Sequence, residues 1–102
     1  MILFSKTFTR SNTTIPFHNE ILDNTVYKQH LNQNYIQTEK LLQQWTEFSE
    51  DLLVMTYNAL WTDRESFDEH NADSILNIYW TDRDEYCSTN NIIQGTGTFG
   101  SI

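Results

Sequence analysis

The chain is short of the residues that break or staple a fold. Of 102 residues one is proline (Pro16) and three are glycine, and Gly95, Gly97 and Gly100 all fall near the end. The body is therefore expected to consist of regular elements joined by tight polar turns. A single cysteine, Cys87, excludes an intrachain disulfide and a cysteine-based zinc site, and it suits a reducing compartment. Positive charge is scarce. Six Lys and Arg (Lys6, Arg10, Lys28, Lys40, Arg64, Arg83) are scattered against fourteen Asp and Glu, giving a formal net charge of −8. Apart from Glu20, Asp23 and Glu39, the carboxylates lie between Glu47 and Glu85. That half repels a phosphate backbone and an anionic membrane surface, so neither nucleic acid nor membrane is an expected partner. No apolar run approaches the roughly 20 residues of a membrane span, and MILFSKTFTR turns polar too soon for a signal peptide. The expectation is one soluble domain over 1–102, cytoplasmic.

What is present organises around Leu52–Asp73. Leu52, Leu53, Val54, Met55, Tyr57, Ala59, Leu60 and Trp61 place apolar side chains on both faces of a strand, as a covered central strand requires. Thr62-Asp63-Arg64-Glu65 has the spacing of a capping box, with the Thr62 hydroxyl expected to accept from the Glu65 N–H. Phe67 and His70 then share a helix face.

The remaining elements follow from periodicity. Ile2–Arg10 alternates, with Ile2, Phe4 and Phe8 on one face and Ser5, Thr7 and Thr9 on the other. Lys6 interrupts the apolar face, which must meet water or a carboxylate there. Phe17–Tyr35 is helical, with Asp23-Asn24-Thr25 as a cap where the helix restarts. Lys40–Phe48 reads either as a helix stripe (Leu41, Leu42, Trp45, Phe48) or as a strand. The strand is favoured, because a hairpin supplies the nearest partner for the central strand. Asn71-Ala72-Asp73 caps a second helix, Ser74–Thr89, with Ile75, Ile78, Tyr79 and Tyr86 inward and Asn90-Asn91 ending it. Ile92–Ile102 forms a last strand or an extended tail. Trp61-Thr62-Asp63-Arg64 recurs as Trp80-Thr81-Asp82-Arg83, but the flanks differ and the match reads as coincidence.

The order is β-α-β-β-α-β, an α+β split sandwich of ferredoxin-like type with helices on one sheet face. A central strand apolar on both sides leaves the other face as a patch best covered by a second copy. Trp61 through His70, WTDRESFDEH, resembles the W-x-S/D-x-E-x-F-x-x-H stretch of the dimeric α/β-barrel proteins, the antibiotic-biosynthesis-monooxygenase-like group. The rest of the chain is similar to that group only in element order. The asparagine-rich, lysine-poor style also resembles small bacteriophage proteins, which would place the chain in the host cytoplasm or the virion.

The resemblance implies a pocket between sheet and helices. In the enzymatic branch of the group it holds an aromatic or haem substrate that itself reduces oxygen, with no cofactor. By resemblance Asn58, Trp61 and His70 are the catalytic candidates, Asn58 to hold an oxyanion and His70 as a base. Tyr57, Trp61 and Phe67 would line the pocket. The haem-degrading members have an Asn on the first strand, and Ile2–Arg10 has none. Trp61 and His70 also suit a purely structural role. No metal site is expected, since His18, His30 and His70 lack ligand spacing and the carboxylates Asp63 to Asp73 lack the glycine turn of a calcium loop. Two readings stand. One is a non-catalytic, self-associating assembly protein, such as a phage-particle component whose tail adds a strand to a neighbour. The other is a cofactor-independent monooxygenase-like enzyme with Tyr57, Asn58, Trp61 and His70 around a cavity.

Overall fold

The computed structural model describes residues 1–21 and 25–101. Leu22, Asp23 and Asn24 of the expected helix restart, and the terminal Ile102, lie outside the described residues. Five strands form one antiparallel sheet: β1 (Ile2–Thr9), β2 (Leu41–Phe48), β3 (Val54–Trp61), β4 (Ile93–Gln94) and β5 (Thr98–Ser101). The order is β2-β3-β1-β4, and β5 pairs with β1 as well. Helices α1 (His18–Ile21) and α2 (Thr25–Leu31) connect β1 to β2, while α3 (Arg64–Asn71) and α4 (Ser74–Thr89) connect β3 to β4. Among the described residues, no helix is long and apolar enough to cross a membrane.

Lys40–Phe48 is a strand, as the hairpin argument required. Its Gln, Glu and Lys content favours a helix locally, but pairing with β3 from Leu41 to Phe48 prevails over that propensity. The hairpin turn is built from side chains. Asp51 Oδ1 accepts from the Leu53 N–H at 3.0 Å and from the Ser49 hydroxyl at 2.7 Å. Leu52 takes a left-handed φ of 63° to close it. The buried Arg10 guanidinium clamps the turn to the end of β1, donating to the Leu52 carbonyl from Nε and Nη2 at 3.0 and 2.8 Å. It also donates to the Ile15 carbonyl at 2.9 Å and lies 4.4 Å above the Phe17 ring centroid. Left-handed backbone costs a side-chain-bearing residue about 1–2 kcal/mol, and glycine loses about 0.5–1 kcal/mol more in chain entropy on folding. Leu52→Gly is thus expected to gain a net ~0.5–1 kcal/mol, read as a higher melting temperature, since the Leu52 side chain is exposed.

Three expectations need correction. Helix α3 starts one residue late, because Asp63 is its N-cap and accepts from the Ser66 N–H at 2.8 Å. The Thr62 hydroxyl instead donates to the Glu39 carbonyl at 2.5 Å, tying the end of β3 to the turn before β2. In α4, Leu76 and Cys87 are buried, whereas Ile75 and Ile78 are 40% and 67% exposed. The near-continuous apolar run from Ile75 to Trp80 hid the helix phase, which brings Leu76, Trp80, Arg83 and Cys87 to the sheet. The helix-free face of the sheet is mixed, not uniformly apolar. Val54, Thr56, Asn58 and Leu60 of β3 share it with Leu3, Ser5, Thr7 and Thr9 of β1 and with Trp45 of β2.

The end of the chain lies on its own β1, with Ile93–Gln94 against Phe8 and Thr9 and Thr98–Ser101 against Ile2 to Ser5. It is therefore not a free arm over its described length. Gly95 and Gly97 let the backbone cross at close range. A Cβ at Gly95 would stand 2.3 Å from Thr7 Oγ1, and one at Gly97 would stand 2.3 Å from Phe4 Cε2.

Two apolar clusters fill the space between sheet and helices. One joins Leu31, Tyr35, Leu41, Ala59, Trp61, Phe67 and Leu76. The other joins Phe8, Phe17, Met55, Cys87 and Ile92. Tyr57 packs against both.

Candidate functional site

A cavity of about 240 Å³ lies where the two clusters fail to merge. Its cause is local. Midway along β1, Lys6 takes the helix-facing position between Phe4 and Phe8 and pairs with Tyr57. Opposite, α4 brings Arg83 to the same space. An ammonium and a guanidinium cannot be closed into an apolar core without a large desolvation cost, so the helix layer stands off the sheet there. Aromatic rings make most of the wall: Phe4, Phe8, Phe17, Tyr27, Tyr57, Trp61, Phe67, Tyr79 and Trp80. Exposed Asn19 and Asn71 mark where it reaches the surface.

Four of the residues singled out from sequence meet at this cavity: Tyr57, Trp61, Phe67 and His70. Asn58 does not. It lies on the opposite sheet face, where its Oδ1 accepts from the Ser5 hydroxyl at 2.7 Å and its buried Nδ2 has no partner among the described residues. Residues 57, 59 and 61 of a strand share one face, so Asn58 is excluded from the cavity by strand parity.

His70 is caged by rings. The centroids of Trp61, Trp80, Tyr35 and Phe67 lie 4.6, 4.8, 5.5 and 5.9 Å from its own. Burial pushes its pKa down from 6.5 to about 4, although the Asp73 carboxylate pulls the other way. The imidazole is neutral at pH 7, its Nδ1 buried without a hydrogen-bond partner among the described residues. A neutral histidine can accept a proton, though a weakly basic one holds it loosely.

Asp73 anchors this wall of the cavity. Its Oδ1 caps α4 by accepting from the Ile75 and Leu76 N–H groups at 2.9 and 3.3 Å. Its Oδ2 accepts from the Tyr35 hydroxyl and meets His30 Nε2, both at 2.7 Å. Burial alone would raise this carboxyl, but the bonds from His30, Tyr35, Leu76 and Ile75 prevail and hold it at about 2. The bonds to His30, in α2, and to Tyr35, in the helical turn Asn32–Ile36 that follows it, reach back to the β1–β2 connection, so one carboxylate ties α4 to it.

Burial raises the Tyr57 and Tyr27 phenols and the Cys87 thiol, so all three are protonated at neutral pH. Tyr57 donates to Gln44 Oε1 at 3.0 Å. Among the described residues, no three His, Cys, Asp or Glu side chains converge to hold a metal ion.

Sequence reasoning noticed Lys6 as an interruption but did not carry it to a site, and it missed Arg83. The signal for Arg83 was its spacing from Leu76, Trp80 and Cys87, one helix face that runs apolar except at this residue. The repeated Trp-Thr-Asp-Arg also reaches the same place, since Trp61 and Trp80 flank His70 from different elements.

No protein-family model matches the sequence, and neither does any curated protein. Solved structures do match. A dimeric ferredoxin-like protein from an uncultured marine organism superposes with a TM-score of 0.63 at 11% identity, over 99% of this chain and 94% of the other. The fold is ferredoxin-like. A Deinococcus radiodurans protein provisionally named an antibiotic biosynthesis monooxygenase gives a TM-score of 0.58 at 12% identity, over 100% of this chain and 92% of that one. At such identities the likeness establishes the ferredoxin-like fold and no activity.

Proposed function

We propose that this ferredoxin-like chain forms a homodimer and takes up a small aromatic molecule between its sheet and helices. The observation that carries the reading is the cavity of about 240 Å³, walled by aromatic rings and reaching the surface at Asn19 and Asn71. About 150 Å³ suffices for benzene in an apolar site, so the space suits one or two fused rings. Edge and face contacts from Phe4, Tyr57, Phe67 and Trp80 favour a flat guest. The narrower reading, a cofactor-independent monooxygenase, is supported by Trp61 and His70 at the cavity and by a likeness to a protein carrying that name. It does not involve Asn58.

The dimer reading draws on the helix-free face, where Trp45 is 37% and Ile93 is 70% exposed beside Leu3, Val54 and Leu60. One structural neighbour is itself described as dimeric. A purely structural assembly role, in a phage particle for example, is the second reading. It is favoured by exposed Leu42, Trp45 and Phe48 on edge strand β2, an open site for further association.

One titration tests the proposal, run on material whose mass is fixed by light scattering. The expected mass is twice 12.1 kDa. Neutral 1-naphthamide is expected to quench tryptophan fluorescence saturably and to raise the melting temperature. The signal should persist in Trp45→Phe, on the far sheet face, and fall in Trp80→Phe, at the cavity. A linear, unsaturable response, or a species far larger than a dimer, would leave the assembly reading in possession.

A further inference from the structure

The wall of the cavity inverts the charge of the chain. Among fourteen carboxylates and six cations in the sequence, the described lining includes Lys6 and Arg83 and no Asp or Glu. The two cations come from different layers and converge on one ring. Lys6 Nζ lies 5.5 Å from the Phe8 centroid, and Arg83 Cζ lies 5.9 Å from it.

Their charge is only partly answered. Asp84 Oδ1 accepts from Arg83 Nε and Nη2 at 3.2 and 3.1 Å and from Gln94 Nε2 at 2.9 Å. Lys6, half-buried, makes no hydrogen bond or ion pair with any described residue, and its contact with Phe8 is the cation–π approach. Burial and then the field of Arg83 lower its pKa, with Asp84 working against them. A repelling, half-desolvated pair of cations is costly to fold around and becomes favourable once an anion lies between them.

We propose that the cavity takes an aromatic anion, a one- or two-ring molecule whose carboxylate or phenolate lies against Lys6 and Arg83 while its ring lies among Phe4, Tyr57, Phe67 and Trp80. This inference rests on the reading of the cavity as a small-molecule site and specifies its ligand class. The competing account is that the Lys6 stem covers Phe8 and its head reaches water with no ligand role.

The test compares 1-naphthoate with its neutral analogue 1-naphthamide on the full chain, by tryptophan quenching at low and moderate salt. Wild type is expected to bind naphthoate about tenfold or more tightly than naphthamide, with the ratio falling as salt rises. Lys6→Met is expected to collapse the ratio to near one. Arg83→Gln should lower it in part, and it serves as the second variant if Lys6→Met folds poorly by its melting curve. Equal affinities in wild type, or a ratio unchanged in both variants, overturn the anion proposal while leaving the small-molecule reading intact. If neither compound binds, both are overturned.

Discussion

Asp73→Ala is expected to be the most damaging single polar substitution in this chain, at about 4 kcal/mol. Loss of the α4 cap accounts for roughly 1 kcal/mol. The Tyr35 hydroxyl, on a residue 2% exposed, would be left without its acceptor, a penalty of about 1–3 kcal/mol. The His30 contact, on a side chain 19% exposed, would add about 1 kcal/mol more. Against the 5–15 kcal/mol typical of a domain, that is a large share. Asp73→Asn keeps an acceptor for the cap and should cost about half as much. Urea denaturation of the two variants and wild type gives the comparison. An alanine variant within 1 kcal/mol of wild type would show that Asp73 does not hold the helix layer together. Because this carboxylate ties α4 to the β1–β2 connection, the alanine variant should also disturb the cavity wall formed by Trp80 and Arg83.

Acidification is the second large effect. His70 has a folded pKa of about 4 against 6.5 when free, because its imidazolium is disfavoured by burial among rings. Above pH 6.5 both states are neutral and the group makes no contribution to the pH dependence. Between 6.5 and about 4 the unfolded chain binds the proton and the folded chain does not, so stability falls as pH falls. Below about 4 both states are protonated and the loss is complete, at about 3 kcal/mol. In His70→Phe this component should vanish, leaving a flatter profile across the same window. Asp73 titrates far lower, near 2, so its loss belongs to a more acidic range and is common to both proteins. Identical slopes in wild type and His70→Phe would mean that the folded site accommodates the charged imidazole.

The candidate site shows how a resemblance and a backbone rule can disagree. The family likeness grouped Asn58 with Trp61 and His70. The period of a strand separates residues 58 and 61 by an odd number of positions and so puts them on opposite faces. The structure follows the strand, with Asn58 against Ser5 and Trp61 against the helices. Composition alone could not have made that choice, because β3 carries apolar residues on both sides.

Short-range chemistry determined most of the element map. Alternation marked β1, polar caps and asparagines marked the limits of Ser74–Thr89, and hairpin logic marked β2 despite its helical composition. These features depend on neighbours within a turn or two, and a sequence displays them directly. Helix phase and cavity formation do not. The near-continuous apolar run at the start of α4 permitted more than one buried face. The choice was made by Asp73, whose partners Tyr35 and His30 come from far upstream. Likewise Lys6 and Arg83 are unremarkable singly, one on a strand and one on a helix. Only tertiary packing brings them over the same Phe8 ring, and the resulting charge keeps the two halves of the core apart.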